Sequence, residues 1–207
     1  MHSLQNTSNS SDRVKHSVIL IPALKTNSAI FDFVTKNWQN KYGLSVHILN
    51  VWNTEKDFPL MLEKVANKID ELSKNGGTVS LIGASGGGNM ATNAFIQRKR
   101  KVNKVINICG RMRVGKHTDL DISPNDKQLK AYIESIHFLE SNIASLSSDD
   151  KKKIMTIRPR FGQEFVPVDT VTIDGGNNIT IPTFEHILSI VAALTIFKKL
   201  LISFIES

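Results

Sequence analysis

The glycine-rich stretch LIGASGGGNM, from Leu81 to Met90, holds residues that could do chemistry in two different ways. In the first, residues 83–88 form a turn whose backbone amides hold the phosphates of a dinucleotide at the N-terminus of a helix. In the second, Gly83-Ala84-Ser85-Gly86-Gly87 is a G-x-S-x-G turn that presents Ser85 as a nucleophile between a strand and a helix. Small neighbours are required there because the backbone segments crowd together. The first interpretation predicts an oxidoreductase and the second predicts a hydrolase.

The surroundings of this turn count against the dinucleotide interpretation. The dinucleotide fingerprint normally belongs to the first β–α unit, whereas two such units precede the turn in this chain. An acidic residue about 20 positions further on should bind the ribose, but the stretch from Asn103 to Gly110 contains none. Arg111 could instead bind a 2′-phosphate, so an NADP-dependent enzyme stays open. The turn resembles that of short-chain dehydrogenases, but their Tyr-x-x-x-Lys pair is absent, since Ile136 follows Tyr132 four residues later.

Apolar runs bounded by turn residues alternate with amphipathic stretches along the chain, which predicts six β–α units. Such alternation is typical of an α/β fold with a mainly parallel sheet and helices on both faces. The predicted strands are residues 16–22, 44–49, 78–83, 104–109, 153–158 and 169–174. We expect residues 175–185 to form a polar loop and a final helix to run from about His186 to Ile205.

Four segments in chain order resemble the α/β-hydrolase family, specifically its small members that lack the first two strands of the full fold. VILIPAL, residues 18–24, resembles the first strand and the oxyanion loop, and GASGG matches the turn that carries the nucleophile. EFVP, residues 164–167, resembles the segment that carries the acid, and EHILSI places a histidine at the start of the last helix. The resemblance covers the chain from about Val18 to Leu200 and implies a single-domain hydrolase fold.

The resemblance implies a role for each of these residues. Ser85 would be the nucleophile, His186 the general base and acid, and Glu164 the carboxylate that orients the histidine. The oxyanion hole would use the backbone N–H of Gly86 and a second N–H from Ala23 or Leu24. The implied reaction is hydrolysis of a carboxylic ester or a related acyl substrate through an acyl-enzyme.

The chain departs from the family pattern at two of these positions. The family usually has Asp four residues before the Pro of the Val-Pro pair, and this chain has Gln163 there with Glu164 following it. Ala23 stands where the family often has glycine. Asp169 and Asp174 are less favoured alternatives for the acid because they flank the predicted last strand. These departures keep open a non-catalytic, hydrolase-like binding protein as the alternative to an enzyme.

Composition fits one globular domain of 207 residues, of which 41% are hydrophobic and 22% are charged. Residues 1–14 are polar and predict a disordered arm without a secretory signal, followed by a domain over residues 15–207. Cys109 is the single cysteine, which excludes an internal disulfide and agrees with a cytoplasmic location. We expect no cofactor or metal, because no Cys/His or HExxH spacing occurs.

Two segments leave their roles open. The formal charge is +7, and its densest cluster is RKRKVNK, residues 98–104. We interpret these cations as stabilising a helix C-terminus, since no aromatic residues lie among them as in a nucleic-acid site. The long connection over residues 111–150 is either a small apolar cap over the site or an ordinary crossover helix.

No bilayer-spanning segment is expected, because the longest apolar stretch, ILSIVAALTIF, is too short.

Overall fold

A computed structural model describes residues 16–55, 57–115, 126–161 and 167–207 of the chain. Six parallel strands form one sheet in the order β2-β1-β3-β4-β5-β6. The strands are β1 (His16–Ile21), β2 (Leu44–Ile48), β3 (Thr78–Ala84), β4 (Val102–Ile108), β5 (Ile154–Pro159) and β6 (Asn177–Ile181). The prediction of a single-domain α/β fold with a six-stranded parallel sheet is confirmed.

Helices connect the strands and cover both faces of the sheet, because a parallel sheet needs a crossover after each strand. They are α1 (Ala29–Thr35), α2 (Trp38–Tyr42), α3 (Phe58–Leu72), α4 (Gly86–Gln97), α5 (Lys127–Asn142), α6 (Ser148–Lys152), α7 (Val168–Val171), α8 (His186–Thr195) and α9 (Lys198–Glu206). One apolar cluster joins α3, α4 and α5 to the sheet. A second cluster joins α1, α8 and α9 to the opposite face.

Local signals set where the longer helices begin. The Asp57 carboxylate accepts a hydrogen bond from the Leu60 N–H at 3.1 Å, and Pro59 lies in the first turn of α3. Asp126 accepts from the Leu129 N–H at 3.1 Å at the start of α5. These side chains satisfy backbone N–H groups that have no partner within the helix.

The prediction of a strand over residues 169–174 is wrong, and the sixth strand lies in the segment predicted as a polar loop. Residues 168–171 form the single turn of α7, and Asn177–Ile181 pairs with β5 alone. An edge strand has one neighbour, so its side chains alternate between exposed and buried instead of forming an apolar run. Asn178 also fixes the preceding turn, since its side chain accepts from the Ile173 N–H and donates to the Ile173 carbonyl.

Two predicted single helices are each split in the structure. The spacing of Ile30, Phe33, Val34 and Trp38 predicts one helix that ends near Gly43. The structure has α1 and α2 in this segment, and Gly43 ends α2 with φ of 68°. The helix expected from His186 to Ile205 consists of α8 and α9, which meet at 61°. No single helix in the described ranges is long and apolar enough to cross a membrane, and the bent α8–α9 pair meets that test by length and composition only.

The long connection over residues 111–150 contains α5, which packs against α3 and α4. Its Phe138 ring lies 5.4 Å from the Phe58 ring of α3, measured between centroids. Ile136 and Leu139 of α5 are buried, and Leu139 belongs to the apolar cluster that α5 shares with α3 and α4. α5 therefore packs as a crossover helix does, and the choice between cap and crossover for the whole connection stays a prediction. The predicted N-terminal arm lies outside the described residues, and the predicted domain limits and cytoplasmic location stay predictions.

Candidate active site

Ser85 lies in a sharp turn between the carboxyl end of β3 and the first residue of α4. Its backbone has φ of 52° and ψ of −122°, a left-handed conformation that residues with a side chain rarely adopt. The Ser85 N–H donates to the Ile108 carbonyl at 2.8 Å, and the Ser85 carbonyl accepts from the Gly88 N–H at 2.8 Å. These bonds hold a conformation that costs about 1–3 kcal/mol on its own. Ser85 therefore has the backbone geometry predicted for a nucleophile elbow.

Two glycines of the turn are required by close contact between backbone segments. A Cβ atom at Gly83 would lie 2.1 Å from the Gly87 carbonyl oxygen. A Cβ at Gly87 would lie 2.1 Å from the Ile21 carbonyl oxygen and 2.6 Å from that of Pro22. The G-x-S-x-G spacing thus reflects contact of the turn with itself and with the end of β1.

Gly86 and Leu24, two of the residues predicted for the oxyanion hole, lie against each other. A Cβ at Gly86 would lie 2.1 Å from Leu24 Cδ1, with Trp52 and Tyr132 close behind at 3.3 and 3.2 Å. Gly86 is also the first residue of α4, where free N–H groups and the helix dipole favour a negative charge. The start of α4 and the loop after β1 therefore lie against each other next to Ser85, and the oxyanion-hole role of Gly86, Ala23 and Leu24 stays a prediction.

Long-range hydrogen bonds hold the loop after β1. Trp52 Nε1 donates to the Pro22 carbonyl at 3.1 Å, and Asn50 Nδ2 donates to the Thr26 carbonyl at 3.2 Å. The Lys25 ammonium lies 2.5 Å from the Asp126 carboxylate. The left-handed residue of this loop is Lys25, with φ of 55°, and Ala23 is not in that region. The alanine at position 23 is therefore compatible with the loop conformation.

His186 is the first residue of α8 and lines the same cleft as Ser85. Glu185 precedes it with φ of 63°, and its carboxylate accepts from the Ile187 and Leu188 N–H groups at 3.0 Å each. Burial lowers the pKa of His186, and the Glu185 charge opposes this in part. No hydrogen bond between the described atoms joins the Ser85 hydroxyl to the imidazole. Such bonds often form fully only once substrate is bound.

Glu164, the predicted acid, lies outside the described residues, as does Gln163. Of the alternatives, Asp169 is exposed on α7 and Asp174 is exposed in the turn before β6. Glu185 was not predicted, and its carboxylate is occupied with capping α8. A Glu before an apolar helix is a weak capping signal, since Ser, Thr, Asp and Asn are the preferred residues.

An apolar cleft of about 280 Å³ extends from Ser85 and His186 between α1 and α8. Among the described residues of its lining, Thr26 has the only further polar side chain; the apolar residues are Ala23, Leu24, Ile30, Phe31, Val34, Ile187, Ile190, Val191 and Leu194. The residues of α1 and α8 in this lining could not be recognised as a site from the sequence, because helical apolar spacing equally predicts packing on the sheet. Within the described part of the chain, no group of three His, Cys, Asp or Glu side chains is arranged to hold a metal ion.

Solved structures with the same architecture are α/β hydrolases. One belongs to the metagenome-derived lipolytic enzymes LipS and LipT, with a TM-score of 0.64, 12% identity and coverage of 93% of this chain and 94% of that one. Est1E from Butyrivibrio proteoclasticus has a TM-score of 0.60 and 14% identity, over 94% of this chain and 91% of its own. The metagenomic carboxyl esterase MGS0156 has a TM-score of 0.63 and 12% identity, over 93% of this chain and 76% of its own.

No protein-family model matches the sequence, and a comparison with curated proteins also finds no match. At 12–14% identity, the structural similarity establishes the fold. The chain has the α/β-hydrolase fold, which confirms the fold that the sequence resemblance implied.

Because His186 is predicted to be the general base of a hydrolase, the pH dependence of activity on an ester should report the lowered pKa of His186. Only the neutral imidazole can accept the serine proton, so activity is lost as pH falls through the folded-state pKa. Because burial lowers this pKa, we expect the acid limb of kcat/KM to have its midpoint below 6.5. A pH profile of kcat/KM, with the fold checked by circular dichroism at each pH, measures the midpoint. A midpoint above 6.5 would contradict burial as the dominant influence.

Proposed function

We propose that this protein is a serine hydrolase that cleaves a carboxylic ester or a related acyl substrate. The observation that carries the proposal is the conformation of Ser85, which is left-handed at the N-terminus of α4 and faces the cleft that His186 also lines. A strained serine at a strand-to-helix turn with a histidine across the same cleft is the arrangement that nucleophilic catalysis requires.

In the proposed reaction, His186 removes the proton of the Ser85 hydroxyl as Oγ attacks the acyl carbon. The negative charge that develops on the carbonyl oxygen is stabilised by the N–H of Gly86 and by that of Ala23 or Leu24. The protonated imidazole then transfers its proton to the leaving alcohol as the ester C–O bond breaks. Water, deprotonated by His186, attacks the acyl-enzyme, releases the carboxylic acid and restores the serine.

The structural neighbours support this reaction class. They include enzymes described as lipolytic and a carboxyl esterase, and they share the chain's architecture over more than nine tenths of its length. The small molecule that binds is therefore proposed to be an ester rather than a dinucleotide.

We further propose Glu164 as the carboxylate that orients His186. In that role, Glu164→Gln should lower kcat by about 10³- to 10⁴-fold, because the neutral amide neither fixes the imidazole nor stabilises its protonated form. Steady-state kinetics on a soluble ester measures the loss. Glu134→Gln, on the exposed side of α5, is the matched control and should retain full activity. An unchanged rate in Glu164→Gln would remove Glu164 from the mechanism.

A fluorophosphonate probe tests the proposed function directly, since it phosphonylates a serine only where a base activates it. We expect stoichiometric labelling, with the adduct located on Ser85 by peptide mass spectrometry. Heat-denatured protein serves as the control and should take no label. Folded protein without an adduct on Ser85 would contradict the hydrolase and favour the hydrolase-like binding protein.

A further inference from the structure

The cleft between α1 and α8 has a buried floor and an exposed mouth. Phe31 and Leu194 are 3% and 2% exposed and form its deep end against the sheet. Val34 and Val191 are half-buried walls. Ile30 and Ile187, at 44% and 67% exposed, lie at the opening. The apolar lining thus ranges from exposed residues at the opening to fully buried residues that pack against the sheet.

Among the described residues that line this cleft, none carries a carboxylate or ammonium group, and His186 has the only titratable side chain. A charged substituent placed there would lose its hydration without gaining a partner, which disfavours its binding strongly. A hydrocarbon substituent instead gains from each methylene it buries. The lining therefore favours an uncharged hydrocarbon substituent over a charged one.

The volume of the cleft limits the length of the substituent that it can hold. At about 280 Å³, it is slightly below the range of about 300–1,000 Å³ that holds a drug-sized ligand. A hydrocarbon chain of short to medium length fills such a space, while a longer chain extends past the floor residues only if the α1–α8 packing opens.

From this we infer that the α1–α8 cleft is a size-limited subsite for one uncharged hydrocarbon substituent of the ester, and that Val34 and Val191 set its length limit. The inference rests on the proposed function for its catalytic consequence, but binding to the cleft does not require Ser85 to react. The substituent is either the acyl chain or the alcohol chain, and both place the same chemistry in the cleft.

Two ester series test the subsite. In p-nitrophenyl alkanoates the acyl chain varies, and in n-alkyl acetates the alcohol chain varies. We expect kcat/KM to rise about fourfold per added methylene in one series, up to the length that fills the cleft, and then to fall. The series that shows this rise identifies the substituent. A terminal carboxylate on the favoured chain should lower kcat/KM by about 100-fold or more. A flat profile in both series would overturn the subsite.

Variants of the two walls should move the limit in opposite directions. Val191→Phe narrows the cleft and should shift the optimum to shorter chains, whereas Val34→Ala widens it and should shift the optimum to longer chains. Ile196→Phe, at a 75% exposed position outside the cleft, is the control and should leave the profile unchanged. Thermal midpoints confirm that all variants fold. Identical profiles in wild type and both wall variants would contradict the roles of Val34 and Val191.

Binding to Ser85→Ala separates this inference from the proposed function. Affinities of n-alkan-1-ols for that variant, measured by calorimetry, should rise with chain length up to the same limit, and Val191→Phe should lower the limit. That result together with no fluorophosphonate label would retain the subsite and reject the hydrolase. Labelled Ser85 with affinities that do not depend on chain length would reject the subsite and retain the hydrolase.

Discussion

Replacing Ser85 by alanine is expected to lower kcat for ester hydrolysis by about 10⁴-fold or more. The variant lacks the oxygen that forms the acyl-enzyme, and the remaining oxyanion donors give only residual catalysis. KM should change much less, because the apolar cleft that binds the substituent is intact. Initial rates on p-nitrophenyl esters, with the background rate of the buffer subtracted, measure both constants.

Ser141→Ala provides the matched control for this substitution. Ser141 lies on the exposed side of α5, and its hydroxyl donates to the His137 carbonyl of the preceding turn. We expect full activity in this variant. Retention of wild-type kcat in Ser85→Ala would show that the hydrolysis does not pass through Ser85.

Gly87→Ala is expected to reduce the free energy of unfolding by about 3 kcal/mol or more, an effect larger than most single substitutions produce. The new Cβ would lie 2.1 Å from the Ile21 carbonyl oxygen, so β1 and the Ser85 turn could not keep their present separation. Urea denaturation followed by intrinsic fluorescence measures the loss, since Trp38 and Trp52 are both buried.

Gly43→Ala separates this collision from the general cost of adding a side chain. Gly43 has a left-handed φ of 68° but no atom within 4 Å of the added Cβ, so only conformational strain of about 1–2 kcal/mol should apply. Equal stabilities of the two glycine variants would refute the close contact.

β1, β3, β4 and β5 could be predicted from the sequence because each contains a run of buried apolar residues, and β2 could be predicted because LSVHI alternates apolar with polar residues. β6 could not, since NNITI lies at the sheet edge and shows only Ile179 and Ile181 as apolar residues. The break between α8 and α9 was equally hidden, because apolar residues continue through Ile196 without a proline or glycine. Where burial is one-sided or the chain bends between apolar residues, hydrophobic pattern alone is ambiguous.

In the candidate site, too, some features could be predicted from local sequence and others could not. The positions of Ser85 in a tight turn and of His186 at a helix start could be predicted because local sequence fixes both features, and their catalytic roles stay predictions. The compatibility of Ala23 with the loop after β1 could not be predicted from the sequence. The hydrogen bonds that hold this loop come from Trp52 and Asn50, which are distant in sequence. The apolar cleft was also not apparent, since its residues follow the ordinary pattern of helices packed on a sheet. Glu164 stays a prediction.

The Ser85 turn depends on strands that are far apart in the sequence. The Ser85 N–H donates a hydrogen bond to the carbonyl at the end of β4, and Gly87 contacts the carbonyls at the end of β1. A peptide spanning only β3 and α4 would lack both supports and would relax from the left-handed conformation. Fluorophosphonate reactivity should therefore disappear at the same urea concentration as tertiary structure, because a cooperatively folding domain loses all three strands together. The reactive serine would then serve as a chemical probe of the folded fraction.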